Sequence, residues 1–182
     1  MRVIDLVFGV GWLAFWVYWL VASIGAKSGR TRWSRCAGIR VGVLLIVLLL
    51  LRVKALNGLS ASNDPWSQSI GLAFFVLGLS LAVWARVHLG RNWGMPMSEK
   101  TDPELVTTGP YHRIRHPIYS GIILAMIGST IAVNLYWLIA VVVLGTYFLY
   151  SALNEERFMA TRFPDSYPEY KRSTKMLIPF IL

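Results

Sequence analysis

The residues best suited to chemistry lie in two polar segments, residues 90–119 and 154–179. The first ends in Arg115, His116 and Pro117. Proline is favoured in the first turn of a helix, so we expect Arg115 and His116 at a helix N-terminus. The partial positive charge there, with an arginine and a histidine, favours an anion such as a carboxylate. Alternatively, these residues and Arg113 serve only as cationic anchors at a membrane border.

The second segment opens with two adjacent carboxylates, Glu155 and Glu156. One could pair with an arginine (Arg115 or Arg157), and the other could accept hydrogen bonds from a ribose hydroxyl or an amine. The alternative is a solvated helix face. Tyr167 and Tyr170 are three residues apart, so they could stack on a planar ring from one side of a helical turn, or pack the tail onto the membrane surface.

Five apolar runs must position these segments, and a helix needs about 20 residues to span a bilayer. Four runs cover residues 3–24, 70–89, 118–133 and 135–153, and the remaining one, second in the chain, centres on residues 41–51. Asn134 alone separates the last two, which predicts a tight antiparallel helical hairpin. Such a hairpin would bring both polar segments to the same membrane face. The first run is too long, and lacks the cleavage site, for a signal peptide.

The composition of the 182-residue chain excludes several classes of protein. It is 55% hydrophobic and 15% charged, with a mean hydropathy of +0.54, which argues against a soluble or disordered chain. The net charge is +9, but the basic residues flank apolar runs, so nucleic-acid binding is not expected. One cysteine excludes an internal disulfide and a multi-cysteine metal site. The runs carry almost no ionisable groups at mid-depth, which argues against a transporter.

The placement of lysine and arginine predicts the orientation. Most follow the first, third and fifth runs. The opposite side keeps only Arg2, Arg52 and Lys54. The positive-inside rule therefore predicts an outside N-terminus and a cytoplasmic C-terminus.

Together these patterns predict an all-α integral membrane protein with five transmembrane helices, a cytoplasmic binding loop and a C-terminal tail. Residues 1–60 would form two N-terminal helices. Residues 61–182 would form the other three and carry both polar segments, as one structural unit.

The second half of the chain resembles the isoprenylcysteine carboxyl methyltransferase family, which includes membrane phospholipid methyltransferases. The matching pieces are Leu105-Val106-Thr107-Thr108-Gly109-Pro110-Tyr111, Arg115-His116-Pro117-x-Tyr119, Glu155-Glu156, Phe163-x-x-x-Tyr167-x-x-Tyr170 and Leu177-Ile178-Pro179-Phe180. Their order, their spacing and their placement around the hairpin all agree with the family.

The resemblance implies an integral membrane enzyme that uses S-adenosylmethionine and needs no metal. Its lipophilic methyl acceptor, a prenylcysteine or a lipid, would enter from the bilayer. The cofactor-binding residues that the resemblance implies are Pro103, Glu104, Leu105, Val106, Tyr111, His116, Pro117, Ile118, Tyr119 and Glu155.

One departure from the family concerns the acceptor. Eukaryotic members have an arginine, thought to hold the substrate carboxylate, at the position of Ser151. Arg115, Arg157 or Lys175 could replace it.

The catalytic candidates follow from the chemistry of the acceptor. A carboxylate needs a cation to orient it, for which we expect Arg115. An amine would need a base, either Glu156 or His112. The expected function is methylation of an isoprenylcysteine-like carboxylate at the cytoplasmic membrane face. The alternatives are a phospholipid or other small-lipid methyltransferase, and a non-catalytic membrane protein.

Overall fold

The computed structural model describes residues 2–23, 29–31, 64–93, 98–100, 104–135 and 137–177. In these ranges the helices are α1 (Val3–Ser23), α2 (Pro65–Leu89), α3 (Pro117–Ala132), α4 (Trp137–Arg162) and α5 (Tyr167–Ser173). The strands β1 (Gly29–Thr31) and β2 (Ser98–Lys100) pair antiparallel. This short ribbon is a small exception to the predicted all-α fold.

Three of the described helices are long and apolar enough to cross a membrane: Val3–Ala22, Pro65–Leu89 and Trp137–Arg162. The helix α3 is apolar but has only 16 residues. The second apolar run, residues 41–51, and the segment boundary near residue 60 lie outside the described residues. Five spans, and the side of the membrane on which each loop lies, therefore stay predictions.

The start of α2 shows how local sequence fixes a helix end. Asp64 accepts a hydrogen bond from the backbone N–H of Ser67 at 2.9 Å, and Pro65 occupies the first turn. The helix therefore begins five residues before the apolar run that predicted it. Gly90, with φ of 49°, ends the helix in the left-handed region that glycine favours.

The helices α2 and α3 pack with their backbones in close approach. A Cβ added to Gly78 would stand 2.5 Å from the backbone nitrogen of Ala125 and from the carbonyl oxygen of Gly121. Farther along the same interface, a Cβ added to Gly71 would stand 2.7 Å from the carbonyl oxygen of Gly128. Small residues permit this contact, which favours helix association in lipid through dispersion.

The predicted hairpin is present, since a short turn joins α3 and α4. In this turn the backbone N–H of Trp137 donates to the carbonyl of Asn134 at 3.2 Å. The helix α4 extends beyond the end of the apolar run at residue 153 and continues to Arg162. Glutamate, arginine, methionine and alanine are all good helix formers, so the polar sequence extends the helix. Glu155 and Glu156 therefore lie within α4 and not after it.

The buried face of α1 is aromatic. Phe8, Trp12 and Phe15 are buried, and the indole of Trp12 stacks on Trp137 with 5.5 Å between ring centroids. The Trp12 N–H also donates to the hydroxyl of Ser129 at 3.2 Å. These contacts fix α1 against the α3–α4 hairpin.

Candidate active site

One cavity of about 310 Å³ lies where the two polar segments meet, close to the lower end of the size range of ligand pockets, roughly 300 Å³. The residues that line it are Trp16, Trp19, Leu89, Asn92, Trp93, Glu104, Leu105, Val106, Tyr111, Arg115, His116, Ile118, Tyr119, Ile122, Phe148, Glu155, Phe158, Met159, Tyr167 and Tyr170. They come from α1, α2, α3, α4 and α5 and from the segment that leads into α3. The lining therefore combines many aromatic rings with a few ionisable groups.

A tight turn places Tyr111 in the cavity wall. The turn is a 3-10 helix, Gly109–His112, that begins with Gly109 at φ of 59°. A Cβ on Gly109 would collide with the imidazole of His88. The carbonyl of Tyr111 accepts a hydrogen bond from the Tyr170 hydroxyl at 2.7 Å. The turn is thus tied to α5, and Tyr111 is buried.

The C-terminal tail holds the N-terminus of α3 in place. The backbone N–H of Arg115 donates to the carbonyl of Lys175 at 2.8 Å, and that of His116 to Met176 at 3.0 Å. In return, Lys175 N–H donates to the carbonyl of Arg113 at 3.0 Å. Arg115 and His116 therefore lie at the start of α3, as the position of Pro117 predicts.

Glu156 is the centre of a buried charge cluster. Its carboxylate is 2.6 Å from Arg115 Nε and 2.7 Å from Lys171 Nζ, and its side chain is 5% exposed. The Arg115 side chain, 9% exposed, also donates through Nη1 to the carbonyl of Thr174 at 2.5 Å. The predicted pairing of one glutamate with Arg115 is confirmed, and together with Lys171 it links the segment before α3 to α4 and α5.

Glu155 faces the cavity instead. It accepts a hydrogen bond from the Tyr119 hydroxyl at 2.6 Å, and its other oxygen lies 3.5 Å from Nδ1 of His116. The rings of His116, Tyr119 and Phe148 form a stack, with centroid separations of 5.5 and 4.7 Å. The two adjacent carboxylates thus have different surroundings, one between cations and the other at the cavity.

The ionisation of the site follows from burial and from these carboxylates. Burial lowers the pKa of His116, but Glu155 and Glu156 raise it by more, so its net pKa lies above the ordinary value of 6.5. Burial raises the pKa of Tyr170 to about 12 and raises that of Tyr111 above its ordinary value. Near neutral pH both phenols therefore keep their protons as hydrogen-bond donors.

Most of the predicted site residues line the same cavity. Those that do are Glu104, Leu105, Val106, Tyr111, Arg115, His116, Ile118, Tyr119 and Glu155, together with Tyr167 and Tyr170. Pro117 is buried in the first turn of α3, and Glu156 lies behind the wall in its charge cluster. His112 is exposed and does not line the cavity. Pro103 lies outside the described residues.

The sequence analysis missed the part of the wall that follows α2. Asn92 and Trp93 line the cavity, and Arg86 stands behind them with only 5% exposure. The Arg86 guanidinium lies 4.7 Å from the Trp93 ring centroid and donates to the carbonyls of Gly90, at 2.7 Å, and Ala22. The sequence signal that could have found this part of the wall is an arginine in the last turn of a span, followed closely by asparagine and tryptophan.

Unsatisfied polar atoms indicate what the cavity can hold. In the described part of the chain, three buried side-chain atoms lack a hydrogen-bond partner: Arg86 Nε, Asn92 Oδ1 and His116 Nε2. Each such atom costs about 1–3 kcal/mol. Asn92 Oδ1 belongs to a residue that lines the cavity among aromatic rings, whereas His116 Nε2 lies 3.8 Å from the carboxylate of Glu156 in the charge cluster. This lining fits a ligand that combines a planar ring with polar groups, as a nucleoside cofactor does.

Comparison with known proteins gives the family. The model of the phospholipid methyltransferase family matches residues 66–166, more than half of the chain. The cobalt-zinc-cadmium resistance protein CzcN of Cupriavidus metallidurans is 32% identical over 143 residues, covering 77% of this chain and 63% of that protein. The protein-S-isoprenylcysteine O-methyltransferase of Schizosaccharomyces pombe is 30% identical over 118 residues, covering 63% and 50%.

A solved structure shares the fold. The eukaryotic intramembrane Ras methyltransferase, an isoprenylcysteine carboxyl methyltransferase, has a TM-score of 0.58 at 24% identity, over 84% of this chain and 55% of that chain. The chain thus spans less than two thirds of the length of these relatives. The matched residues include most of the cavity wall, and the resemblance predicted from the motifs is confirmed. The chain belongs to the phospholipid methyltransferase family and is related to the isoprenylcysteine O-methyltransferases.

Proposed function

We propose that this membrane protein is an S-adenosylmethionine-dependent methyltransferase with a lipophilic acceptor. The observation that carries the proposal is that Tyr111, His116 and Tyr119 from one polar segment line the same cavity as Glu155 from the other. Membership of the family supports the same activity. The site would face the cytoplasm, as the distribution of basic residues predicts.

The donor would lie with its polar end between Glu155 and His116. When bound, the donor supplies a methyl group that is attached to a positively charged sulfur. Transfer of the methyl group to the acceptor leaves that sulfur as a neutral thioether. The carboxylate of Glu155 attracts this positive charge, and the Tyr119 hydroxyl fixes the carboxylate at 2.6 Å. The aromatic lining excludes water, which strengthens that attraction. The residues of the wall thus bind and orient the donor.

For the acceptor, we propose an isoprenylcysteine-like carboxylate held by Arg115. The hydrogen bonds of Arg115 within the described residues use Nε and Nη1, so Nη2 remains available to orient a carboxylate. The oxygen of a carboxylate is already an anion, so no base is needed. Alignment of the reacting groups would then supply most of the acceleration, on the order of 7–11 kcal/mol.

An amine-bearing phospholipid is the second candidate, and the position of Glu155 favours it. An amine must lose its proton before it can attack. The predicted bases, Glu156 and His112, do not line the cavity, whereas Glu155 does and is 29% exposed at its side chain. For an amine acceptor we therefore propose Glu155 as the group that takes the proton, and Glu156 as the residue that positions Arg115.

Calorimetry tests the proposal for the donor. We expect the purified chain in detergent to bind S-adenosylmethionine, and Glu155→Ala to weaken binding at least tenfold, about 1.4 kcal/mol. Glu169→Ala is the control, since Glu169 is exposed and does not line the cavity. Absence of binding by the unaltered chain would favour the non-catalytic alternative. Equal affinity in the Glu155 variant would remove the role of that residue alone.

The acceptor is tested by transfer of a labelled methyl group in vesicles that contain either a prenylcysteine or phosphatidylethanolamine. A methyl ester releases its label as methanol in base, whereas an N-methyl group keeps it. Base-labile product from the prenylcysteine supports the carboxylate acceptor. Base-stable product from the phospholipid supports the amine.

A further inference from the structure

Asn92 is a buried polar residue of the cavity wall that no motif of the family pointed to. It ends the short 3-10 turn Gly90–Asn92 that follows α2, and it is 9% exposed. Its side chain lines the cavity on the part of the wall that also contains Trp93 and Glu104. A buried amide at a cavity needs partners for both its nitrogen and its oxygen.

The orientation of the Asn92 amide is fixed by chemistry. Its Nδ2 lies 2.7 Å from Oε2 of Glu104. An ionised carboxylate only accepts hydrogen bonds, so the nitrogen of the amide must face Glu104. This leaves Oδ1 on the other side, buried and without a partner among the described residues. The amide therefore keeps an unused acceptor and, on Nδ2, a second proton.

The turn that carries Asn92 is held rigidly. Arg86 donates to the carbonyl of Gly90 at 2.7 Å, and its guanidinium covers the ring of Trp93. The backbone N–H of Trp93 donates to the same carbonyl at 3.3 Å. These contacts fix the turn on both sides of the Asn92 side chain. A ligand in the cavity can supply the donor that the described residues do not.

We propose that Asn92 recognises the adenine ring of the donor, and this inference rests on the proposed function. Its Oδ1 accepts a hydrogen bond from the exocyclic amino group, and the second Nδ2 proton bonds a ring nitrogen. An asparagine amide pairs with adenine in this two-point way in nucleic-acid recognition. Trp19, Trp93 and Tyr111 supply ring faces in the same cavity. Glu104 acts as a positioning residue, because it holds the Asn92 amide in the orientation in which Oδ1 can accept a hydrogen bond from the amino group of adenine.

The test compares two neutral ligands by calorimetry on the full chain in detergent. S-adenosylhomocysteine carries the exocyclic amino group, and S-inosylhomocysteine has a carbonyl oxygen in its place. We expect the unaltered chain to prefer the adenosyl ligand by about tenfold, and Asn92→Ala to bind both ligands with equal, weaker affinity. Gln68→Ala is the matched control, since it removes an amide at the opposite end of α2 and should keep the preference.

Glu104→Gln provides a second variant, in which the exposed Glu104 changes by only one atom. A glutamine can donate as well as accept, so the Asn92 amide is no longer held in one orientation and the preference should fall. An undiminished preference in both variants would overturn the role of Asn92 and leave the proposed function intact. If neither ligand binds the unaltered chain, the proposed function fails, and the role of Asn92 fails with it.

Discussion

The two ends of α3 are held by different kinds of contact. Toward its C-terminus the helix packs against α2 through glycines, and the two backbones nearly touch at Gly71 and Gly128. At its N-terminus the neighbouring side chains are charged or aromatic, and a cavity separates them. A helix with one closely packed half can position a partly open site at its other end, because the packing fixes where that end lies.

The energetic basis of the two halves also differs. In lipid, apolar helices gain little from avoiding water, so the glycine contacts act through close packing. At the polar end, the carboxylate of Glu156 bonds Arg115 and Lys171 and thereby joins three helices. Packing should therefore set the stability of one half, and charge should set that of the other.

The largest effect should come from Glu156→Ala, which tests the polar half. The change leaves the guanidinium of Arg115 buried without its carboxylate, and such losses cost about 3–5 kcal/mol. Unfolding in detergent should show the loss. Glu155→Ala is the matched control one residue earlier; its side chain is 29% exposed, so it should cost much less stability. Equal costs would mean that the two glutamates do not have separate roles.

Gly71→Ala should have the next largest effect, and it tests the packed half. A Cβ there meets the backbone of Gly128 and Ala132, neither of which can move aside easily, so we expect a loss of about 1–3 kcal/mol. Gly145→Ala on α4 is the control, because nothing lies within 4 Å of its added Cβ. If the halves are independent, Gly71→Ala lowers the melting temperature but leaves donor affinity unchanged at low temperature.

The sequence predicts the apolar elements well because length and hydropathy decide them. The run at 118–133 differs from α3 by one residue at each end. Two helix ends differ from the ends of the corresponding apolar runs, each for a local reason. The N-cap at Asp64 brings polar residues into α2, and the charged residues after 153 continue α4. Neither effect shows in an apolar pattern.

The candidate site was predictable where its residues belong to motifs. Arg115, His116 and Glu155 lie near one another as their spacing around the hairpin suggested. The pairing of Asn92 with Glu104 was not predictable, since it depends on the path of the chain between residues 92 and 104. Which glutamate faces the cavity also depends on the rotation of α4, and a Glu-Glu pair does not reveal this.

The smallest effect should be a pH dependence that comes from His116, where the polar end meets the start of α3. Glu155 and Glu156 raise its pKa against the opposing effect of burial. A histidine whose pKa is higher in the folded protein stabilises the fold below its unfolded value of 6.5. That stabilisation is lost as the pH rises through the folded pKa. The melting temperature of the unaltered chain should therefore exceed that of His116→Gln most at about pH 6, and the difference should shrink toward about pH 9. His112→Gln, on the exposed turn nearby, is the control for the substitution itself. A difference that grows with pH would mean that burial outweighs the two carboxylates, and that the polar end is not held by charge.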